Sequence, residues 1–200
     1  LAILGGSEPA AMRTSLAGKT VVVTAGGTRE PIDPVRFLGN KSSGRQGLAI
    51  AAAAARAGAR VRVIAANIDD SVMAFLPSSV EVTRVGSAQQ MREATLAQVR
   101  GADALVMTAA VADFRPEATQ ASKMKKDPTT SDAPTLRLVR NPDILSEIGH
   151  GPHRPPLVVG FAAETGTDEE ILAYGADKAA RKGADYIALN RVGAGVGFGD

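Results

Sequence analysis

Short apolar runs alternate along the chain with longer segments whose apolar residues recur at helical spacing. The short runs predict strands over residues 21–23, 60–66, 80–85, 104–108, 135–139, 157–161 and 186–189. The longer segments predict helices over residues 44–58, 88–99 and 168–182. This alternation predicts an α/β fold, a doubly wound, mostly parallel, Rossmann-like sheet in a three-layer domain. Ligands of such folds bind beyond the carboxyl ends of the strands, so the loops after the first and fourth predicted strands should meet.

The loop after the first predicted strand is the strongest local signal. Two glycines permit the positive φ that a tight strand exit needs, and two prolines delay the next helix until Ser42 or Ser43 can cap it. Unpaired N–H groups at that helix start predict a phosphate site, although similar loops also occur without a ligand. The candidate phosphate- or substrate-binding residues here are Gly26, Gly27, Ser42, Ser43 and Gly44.

Composition narrows the possible partners. The formal charge is +2 and aromatic residues make up 4%, which argues against a nucleic-acid partner. The chain has no cysteine, so disulfides and thiolate sites are excluded, as is usual in a reducing compartment. No apolar run reaches membrane-spanning length. We therefore expect a cytoplasmic protein without a membrane or nucleic-acid partner.

Three segments lack strong periodicity. Residues 1–17 mix small residues and proline and predict a linker, with the fold starting near Lys19. Residues 109–134 are polar and longer than a structural connection needs, which predicts a mobile functional loop. His150 and His153 lie in a proline-rich loop without neighbouring carboxylates and make a poor metal site, so they are assigned no role.

Five motifs occur in a specific order along the chain: Asn40-Lys41-Ser42-Ser43-Gly44, Ala109-Ala110-Val111-Ala112-Asp113-Phe114, Lys123-Met124-Lys125-Lys126, Asn141-Pro142-Asp143-Ile144 and Gly160-Phe161-Ala162-Ala163-Glu164-Thr165. This order resembles bacterial phosphopantothenoylcysteine synthetase over about residues 18–199. The resemblance implies a phosphopantothenate–cysteine ligase domain over residues 18–200, truncated at its C-terminus. It also implies that a fused decarboxylase domain precedes the linker in a multifunctional enzyme of coenzyme A biosynthesis.

The activity implied by the resemblance has two steps. CTP, with Mg²⁺, activates the carboxylate of 4′-phosphopantothenate as an acyl cytidylate and releases pyrophosphate. The amine of L-cysteine then displaces CMP. The choice of CTP over ATP follows from the resemblance alone, as does a homodimeric assembly, and the metal ligands are not identified.

The resemblance also implies roles for single residues. The catalytic set is Asn40, Lys123 and Arg36. Asn40 acts in the second step, and Arg36 binds a phosphate or carboxylate across a dimer interface. Ala110 belongs to the substrate site. The nucleotide-binding set is Met107, Thr108, Ala109, Asp113, Lys123, Pro142, Asp143, Ile144, Leu145, Phe161, Lys178 and Lys182.

Residue statistics alone favour simpler interpretations of several of these side chains. The lysines predict a solvated surface, and Arg36 predicts a surface ion pair. Asp113 is also typical of a turn cap, and Phe161 of a core position. The sequence Asn141-Pro142 predicts an ordinary helix entry, with Asn141 as N-cap and Pro142 at the first helical position, whatever the function.

Two other functions compete with a ligase. Tyr174 and Lys178 have the Tyr-x-x-x-Lys spacing of short-chain dehydrogenases, which would suit an NAD(P)-dependent oxidoreductase. A dinucleotide-binding fold requires its helix directly after the glycines, whereas two prolines intervene in this chain. It also requires an acidic or basic residue after the second strand to select the cofactor, and this chain has Ala65-Ala66-Asn67 there. A third possibility is a module that only binds a phosphorylated ligand, against which the lysine-bearing loop argues.

Overall fold

The structure is a computed structural model that describes residues 15–125, 133–164 and 166–191. Three predicted features fall at least partly outside these ranges: residues 1–14 of the predicted linker, Lys126 and the residues up to 132 in the polar loop, and residues 192–200 of the predicted ligase domain. Residues 15–18 form a turn, and Leu16 packs against the core, so these residues before Lys19 are part of the described fold.

The described residues form ten strands and five helices. In chain order these are β1 (Thr20–Gly26), β2 (Arg29–Asp33), β3 (Arg36–Gly39), α1 (Arg45–Arg56), β4 (Arg60–Ala66), α2 (Asp70–Met73), β5 (Glu81–Val85), α3 (Ala88–Gln98), β6 (Ala104–Met107), β7 (Phe114–Pro116), β8 (Leu138–Arg140), α4 (Ile144–Gly149), β9 (Leu157–Glu164), α5 (Asp168–Lys182) and β10 (Tyr186–Arg191).

Six of the strands form one parallel sheet in the order β10-β9-β6-β1-β4-β5. The central strand β1 pairs with β4 on one side and with β6 on the other, and the strand order reverses between β1 and β6. Its valines alternate between the two faces, since Val22 and Val23 are both fully buried but belong to different core clusters. The predicted doubly wound α/β fold is confirmed.

Helices cover both faces of this sheet. On one face, Leu48 and Ala51 of α1 pack against Val23 and Val63. The helix lies close to the sheet because Gly47 has no side chain, since a Cβ there would lie 2.6 Å from the Cβ of Ala25. The second cluster lies on the other face and contains Met91 of α3, Ile144 and Ile148 of α4, and the strand residues Val22, Ile64 and Leu105. Burial of each large side chain stabilises the fold by about 1.5–3 kcal/mol.

Two short antiparallel ribbons, which the sequence did not predict, lie outside the main sheet. β2 pairs with β3, in the stretch where two prolines had suggested a loop, because a two-stranded ribbon has outer edges that tolerate Pro31. β7 pairs with β8, so the predicted strand over residues 135–139 is shorter, shifted, and not part of the parallel sheet. The brief helix α2 also went unpredicted, although Asp69 caps it by accepting from the Ser71 N–H.

Two predicted helix starts are wrong by one to two residues. Neither Ser42 nor Ser43 caps α1; its N-cap is Gly44, whose φ of 75° only glycine adopts readily. Ser42 instead accepts a hydrogen bond from the Gly44 N–H at 3.4 Å. Helix α4 is capped by Asp143, which accepts from the Ser146 N–H, and not by Asn141, because the Asn141 side-chain oxygen accepts from Arg115 instead. Pro142 therefore precedes the helix.

Candidate functional site

The loops that follow β1 and β6 lie side by side at the carboxyl edge of the sheet, as predicted. The pairing of these strands continues past their ends through an isolated bridge between Gly27 and Ala110. The Ala110 N–H donates to Gly26 at 2.8 Å, and the Thr28 N–H donates to Ala110 at 3.2 Å. This is the point where the strand order reverses, which is where open α/β sheets bind ligands.

A cavity of about 920 Å³ opens at this edge. Its wall combines the loop before α1 and the first turn of that helix, the segment after β6, the entry to α4, the end of β9 and one face of α5. The wall includes most of the residues predicted for the site: Asn40, Ser42, Ser43, Gly44, Met107, Thr108, Ala109, Ala110, Asp113, Pro142, Asp143, Ile144, Leu145, Phe161, Lys178 and Lys182. Their individual roles stay predictions.

Four predicted site residues are not part of that wall. Gly26 lies beneath it with φ 86°, packed against Ala66, and a Cβ on Gly27 would lie 2.8 Å from the Asn40 carbonyl. These two glycines therefore allow a close approach of backbone segments under the cavity. Arg36 lies on β3, and Lys123 is exposed on the segment that follows β7.

Three cations in the wall were not predicted as site residues: Lys41, Arg45 and Arg140. Arg45 is the first residue of α1. Its place directly after the glycine-serine loop could have identified it as a site residue from the sequence. With Lys178 and Lys182, the described residues of the wall include five cationic side chains and two carboxylates. A concave surface with this excess of positive charge attracts polyanions.

Three side chains form hydrogen bonds to the main chain at the floor of the cavity. Thr28 Oγ1 accepts from the Ala112 N–H at 2.9 Å, and Thr28 is fully buried. The amide of Asn141 donates to the Ala112 carbonyl at 2.8 Å, and that of Asn40 donates to Val111 at 3.3 Å. These bonds fix the backbone that presents Asp113 to the cavity. In the described part of the chain the exposed Asp113 carboxylate has no hydrogen-bond or ion-pair partner.

Of the three lysines predicted to bind the nucleotide, the two in the cavity wall, Lys178 and Lys182, are each paired with a carboxylate. Lys178 Nζ lies 3.3 Å from Glu164, and Lys182 bonds Asp143, which also accepts from the Ser146 N–H at the start of α4. Burial raises the pKa of Asp143, but the hydrogen bonds from Lys182 and Ser146 outweigh it and hold the pKa below its ordinary value. Asp143 is therefore ionised at neutral pH, and it holds the Lys182 ammonium at the cavity wall.

Comparison with known proteins identifies the family. A family profile described as "DNA/pantothenate metabolism flavoprotein C-terminal domain" matches residues 16–200. The chain belongs to this family. The resemblance predicted from the five motifs is thereby confirmed. The chain is also 47% identical over 195 residues to the coenzyme A biosynthesis bifunctional protein CoaBC of Mycobacterium tuberculosis, a match that covers 94% of this chain and 45% of that protein.

Other relatives agree with this assignment. The Bacillus subtilis CoaBC is 44% identical over 189 residues, with 92% of this chain and 43% of that protein covered. The chain thus spans less than half the length of these curated relatives. A crystal structure of the C-terminal domain of CoaBC superposes with a TM-score of 0.72 at 35% identity, covering 88% of this chain and 79% of that one. A Cab2 variant in complex with phosphopantothenate-cysteine shares the fold at 16% identity, with a TM-score of 0.66 and coverage of 87% and 73%.

The features that would suit an oxidoreductase have other roles in this family member. Asn67 stands where a dinucleotide-binding fold would carry the residue that selects its cofactor. Here it has φ 49°, and its side-chain amide donates to the carbonyls of Gly27 and Gly86 at 2.9 and 2.8 Å. Tyr174 is not part of the cavity wall, and its ring lies 5.4 Å from Lys178 Nζ, which is bonded to Glu164. Neither arrangement supports a dinucleotide site, and the comparisons do not support the oxidoreductase alternative.

Metal ligands are sparse in the described residues. No group of three or more His, Cys, Asp or Glu side chains in them could hold a metal ion. His150 faces the Arg181 carbonyl at 3.1 Å. Mg²⁺, however, is typically bound by one or two carboxylates together with substrate phosphates, and Asp113 offers one unpaired carboxylate in the cavity. Within the described ranges no helix is long and apolar enough to cross a membrane.

Proposed function

We propose that the chain is a phosphopantothenate–cysteine ligase that uses CTP. In the first step, a carboxylate oxygen of 4′-phosphopantothenate attacks the α-phosphorus of CTP, and the bond to the β-phosphate breaks to release pyrophosphate. In the second step, the amine of cysteine attacks the acyl carbon, loses a proton, and expels CMP. Both steps bring anions together, so they require charge neutralisation and alignment.

The observation that carries this proposal is the positively charged cavity at the reversal point of the sheet. Five cationic side chains line it, and the N-terminus of α1 points its unpaired N–H groups at the same space. A nucleoside triphosphate and a second phosphorylated substrate are partners of matching charge. The identity of about 47% to bifunctional coenzyme A biosynthesis proteins over nearly the whole chain supports the same activity.

We assign the residue roles on the geometry of this wall. Lys178 and Lys182 exchange their carboxylate partners for nucleotide oxygens, since both ammonium groups already lie at the surface of the cavity. Asp113 holds a ribose hydroxyl or, with the phosphates, Mg²⁺, which would neutralise triphosphate charge when bound. Asn40, whose side-chain amide donates to the Val111 carbonyl in the free protein, orients the acyl cytidylate for attack by cysteine.

We further propose a homodimer that forms through the two ribbons. Large apolar side chains are exposed on both of them: Phe37 is 52% exposed on β3, Phe114 is 46% exposed on β7, and Leu138 is 45% exposed on β8. The two ribbons contact each other through β2 and β7, and exposed apolar patches of this kind mark interaction surfaces. Arg36 lies on the same ribbon as Phe37, so a second copy would bring its guanidinium close to the contact. The fused decarboxylase domain and the cytoplasmic location remain predictions.

The test is a direct assay of both half-reactions. The chain is incubated with 4′-phosphopantothenate, Mg²⁺ and either CTP or ATP, and pyrophosphate, nucleoside monophosphate and thiol product are measured with and without cysteine. We expect pyrophosphate from CTP in the absence of cysteine, and CMP with product only in its presence. Equal turnover with ATP would refute the CTP preference, and oxidation of NADPH without CTP turnover would refute the ligase.

A further inference from the structure

A segment that follows β7 docks along the β2–β3 ribbon. Thr119 Oγ1 donates to the Pro31 carbonyl at 3.1 Å, and the Gln120 N–H donates to Ile32 at 2.9 Å. Further along, the Met124 N–H donates to Asp33 Oδ2 at 3.1 Å. The segment therefore follows the ribbon over at least six residues, and Lys123 lies at its docked end.

Asp33 is the centre of this contact. Its carboxylate is fully buried at the turn between β2 and β3. Oδ1 accepts from the N–H groups of Val35 and Arg36, both at 2.9 Å, and Oδ2 accepts from Arg36 Nε at 2.9 Å and from Met124. Burial raises the pKa of Asp33, but the hydrogen bonds from Val35, Arg36 and Met124 lower it to about 2. The group is ionised at neutral pH.

Arg36 completes a closed arrangement around Met124. Its Nη2 lies 2.6 Å from Asp33 Oδ2 and donates to the Met124 carbonyl at 2.8 Å. Both main-chain polar groups of Met124 are thus held, one by the carboxylate and the other by the guanidinium. Consecutive Cα atoms are about 3.8 Å apart, so the backbone of Lys123 is fixed together with that of Met124.

We propose that Asp33 is a positioning residue for the ligase reaction: its buried carboxylate orients the Arg36 guanidinium and, through the main chain of Met124, holds the segment that carries Lys123. The inference rests on the proposed function. One carboxylate bonds Arg36 directly and also bonds Met124, the residue after Lys123, so it connects the two predicted catalytic residues that lie outside the cavity wall. Asp33 itself lies outside the wall and acts through its partners.

The first test is Asp33→Asn in the otherwise intact chain. Asparagine keeps the shape and one acceptor oxygen but loses the charge that binds the guanidinium. Small misplacements of positioned groups reduce rates by about 100-fold. We expect kcat of the ligase reaction to fall at least tenfold while the KM for CTP changes less than threefold, because the residues of the nucleotide-binding set other than Lys123 all lie in the cavity wall and are unchanged. Deuterium exchange in peptides that cover residues 117–125 should become faster.

The matched control is Asp70→Asn. This variant also removes one carboxylate from an ion pair with an arginine, since Asp70 lies 2.5 Å from Arg84 Nη2, but the pair is exposed and neither residue is part of the cavity wall. We expect its kcat to stay within twofold of the wild-type value and its exchange in residues 117–125 to be unchanged.

A second variant keeps the inference testable if Asp33→Asn does not fold. Met124→Pro removes the single N–H that Asp33 Oδ2 accepts from this segment, while Asp33 and Arg36 remain. It should reproduce the loss in kcat, whereas Met124→Ala, which keeps the N–H, should not. A kcat close to that of Met124→Ala in both Asp33→Asn and Met124→Pro would overturn the inference. A wild-type chain without CTP-dependent turnover would refute the proposed function itself. Unchanged deuterium exchange of residues 117–125 in Asp33→Asn would separately refute the role of Asp33 in holding that segment.

Discussion

Lys182 provides the sharpest test of the cavity as a nucleotide site. Its ammonium lies in the wall, bonded to Asp143, and its side chain is 21% exposed. The neighbouring Arg181 is 51% exposed and pairs with Asp177 on the solvent side of α5. Lys182→Ala therefore removes a cation from the cavity, whereas Arg181→Ala removes one from the same helix turn without touching the wall.

The expected magnitude follows from the bond that Lys182 would make to the nucleotide. Hydrogen bonds to charged groups contribute about 1.5–3 kcal/mol, which corresponds to about 10- to 150-fold in affinity. In the free protein this ammonium is bonded to Asp143, and that bond must be shared or given up when a nucleotide binds. The net effect should therefore lie at the lower end, about 10- to 30-fold. The cost in stability should be below about 1 kcal/mol because the pair is partly exposed.

The assay is calorimetric titration of each variant with CTP and Mg²⁺ at fixed ionic strength. We expect the dissociation constant of Lys182→Ala to rise 10- to 30-fold, and that of Arg181→Ala to stay within twofold. A Lys182→Ala variant that binds CTP as tightly as Arg181→Ala does would refute the assignment of α5 to the nucleotide site.

Three further predictions concern the framework. Asn67→Ala should lower the free energy of unfolding by about 2–4 kcal/mol in urea denaturation, because it loses two hydrogen bonds and places alanine at a positive φ. Asn67→Gly loses the same bonds but tolerates that φ, so it should lower the free energy of unfolding by less. Gly47→Ala should cost about 1–3 kcal/mol by forcing α1 away from Ala25, and an unchanged denaturation midpoint would contradict that packing. The depressed pKa of Asp33, about 2 against 3.8, means that its contribution to stability is present above about pH 4 and is lost as the pH falls towards 2. The stability gap between wild type and Asp33→Asn should be constant from pH 5 to 8 and shrink below pH 4.

Strong periodicity made some elements predictable from the sequence alone. The strand over residues 60–66 and the helix over residues 168–182 were predicted with the bounds that the structure gives. Both are regular elements whose pattern of apolar residues reflects burial against one sheet. The cavity wall was also largely predictable, because the motifs that carry the family resemblance lie in the loops at the carboxyl edge.

Features that depend on distant partners were not predictable. The β2–β3 ribbon contains Pro31 and Pro34 in or beside its strands, and only pairing across the turn makes it regular. The left-handed N-cap at Gly44 was missed because serine is the commoner capping residue. The role of Asn67, which ties together the loops after three strands, depends on a sheet order that no local pattern reveals.

The most direct test of the central claim is calorimetric titration of the chain with CTP, ATP and NADPH, each in the presence of Mg²⁺. The account predicts that CTP binds at one site per chain, more tightly than ATP, and that NADPH does not bind. Binding of NADPH together with the absence of CTP binding would contradict the assignment of the charged cavity to a CTP-dependent ligase.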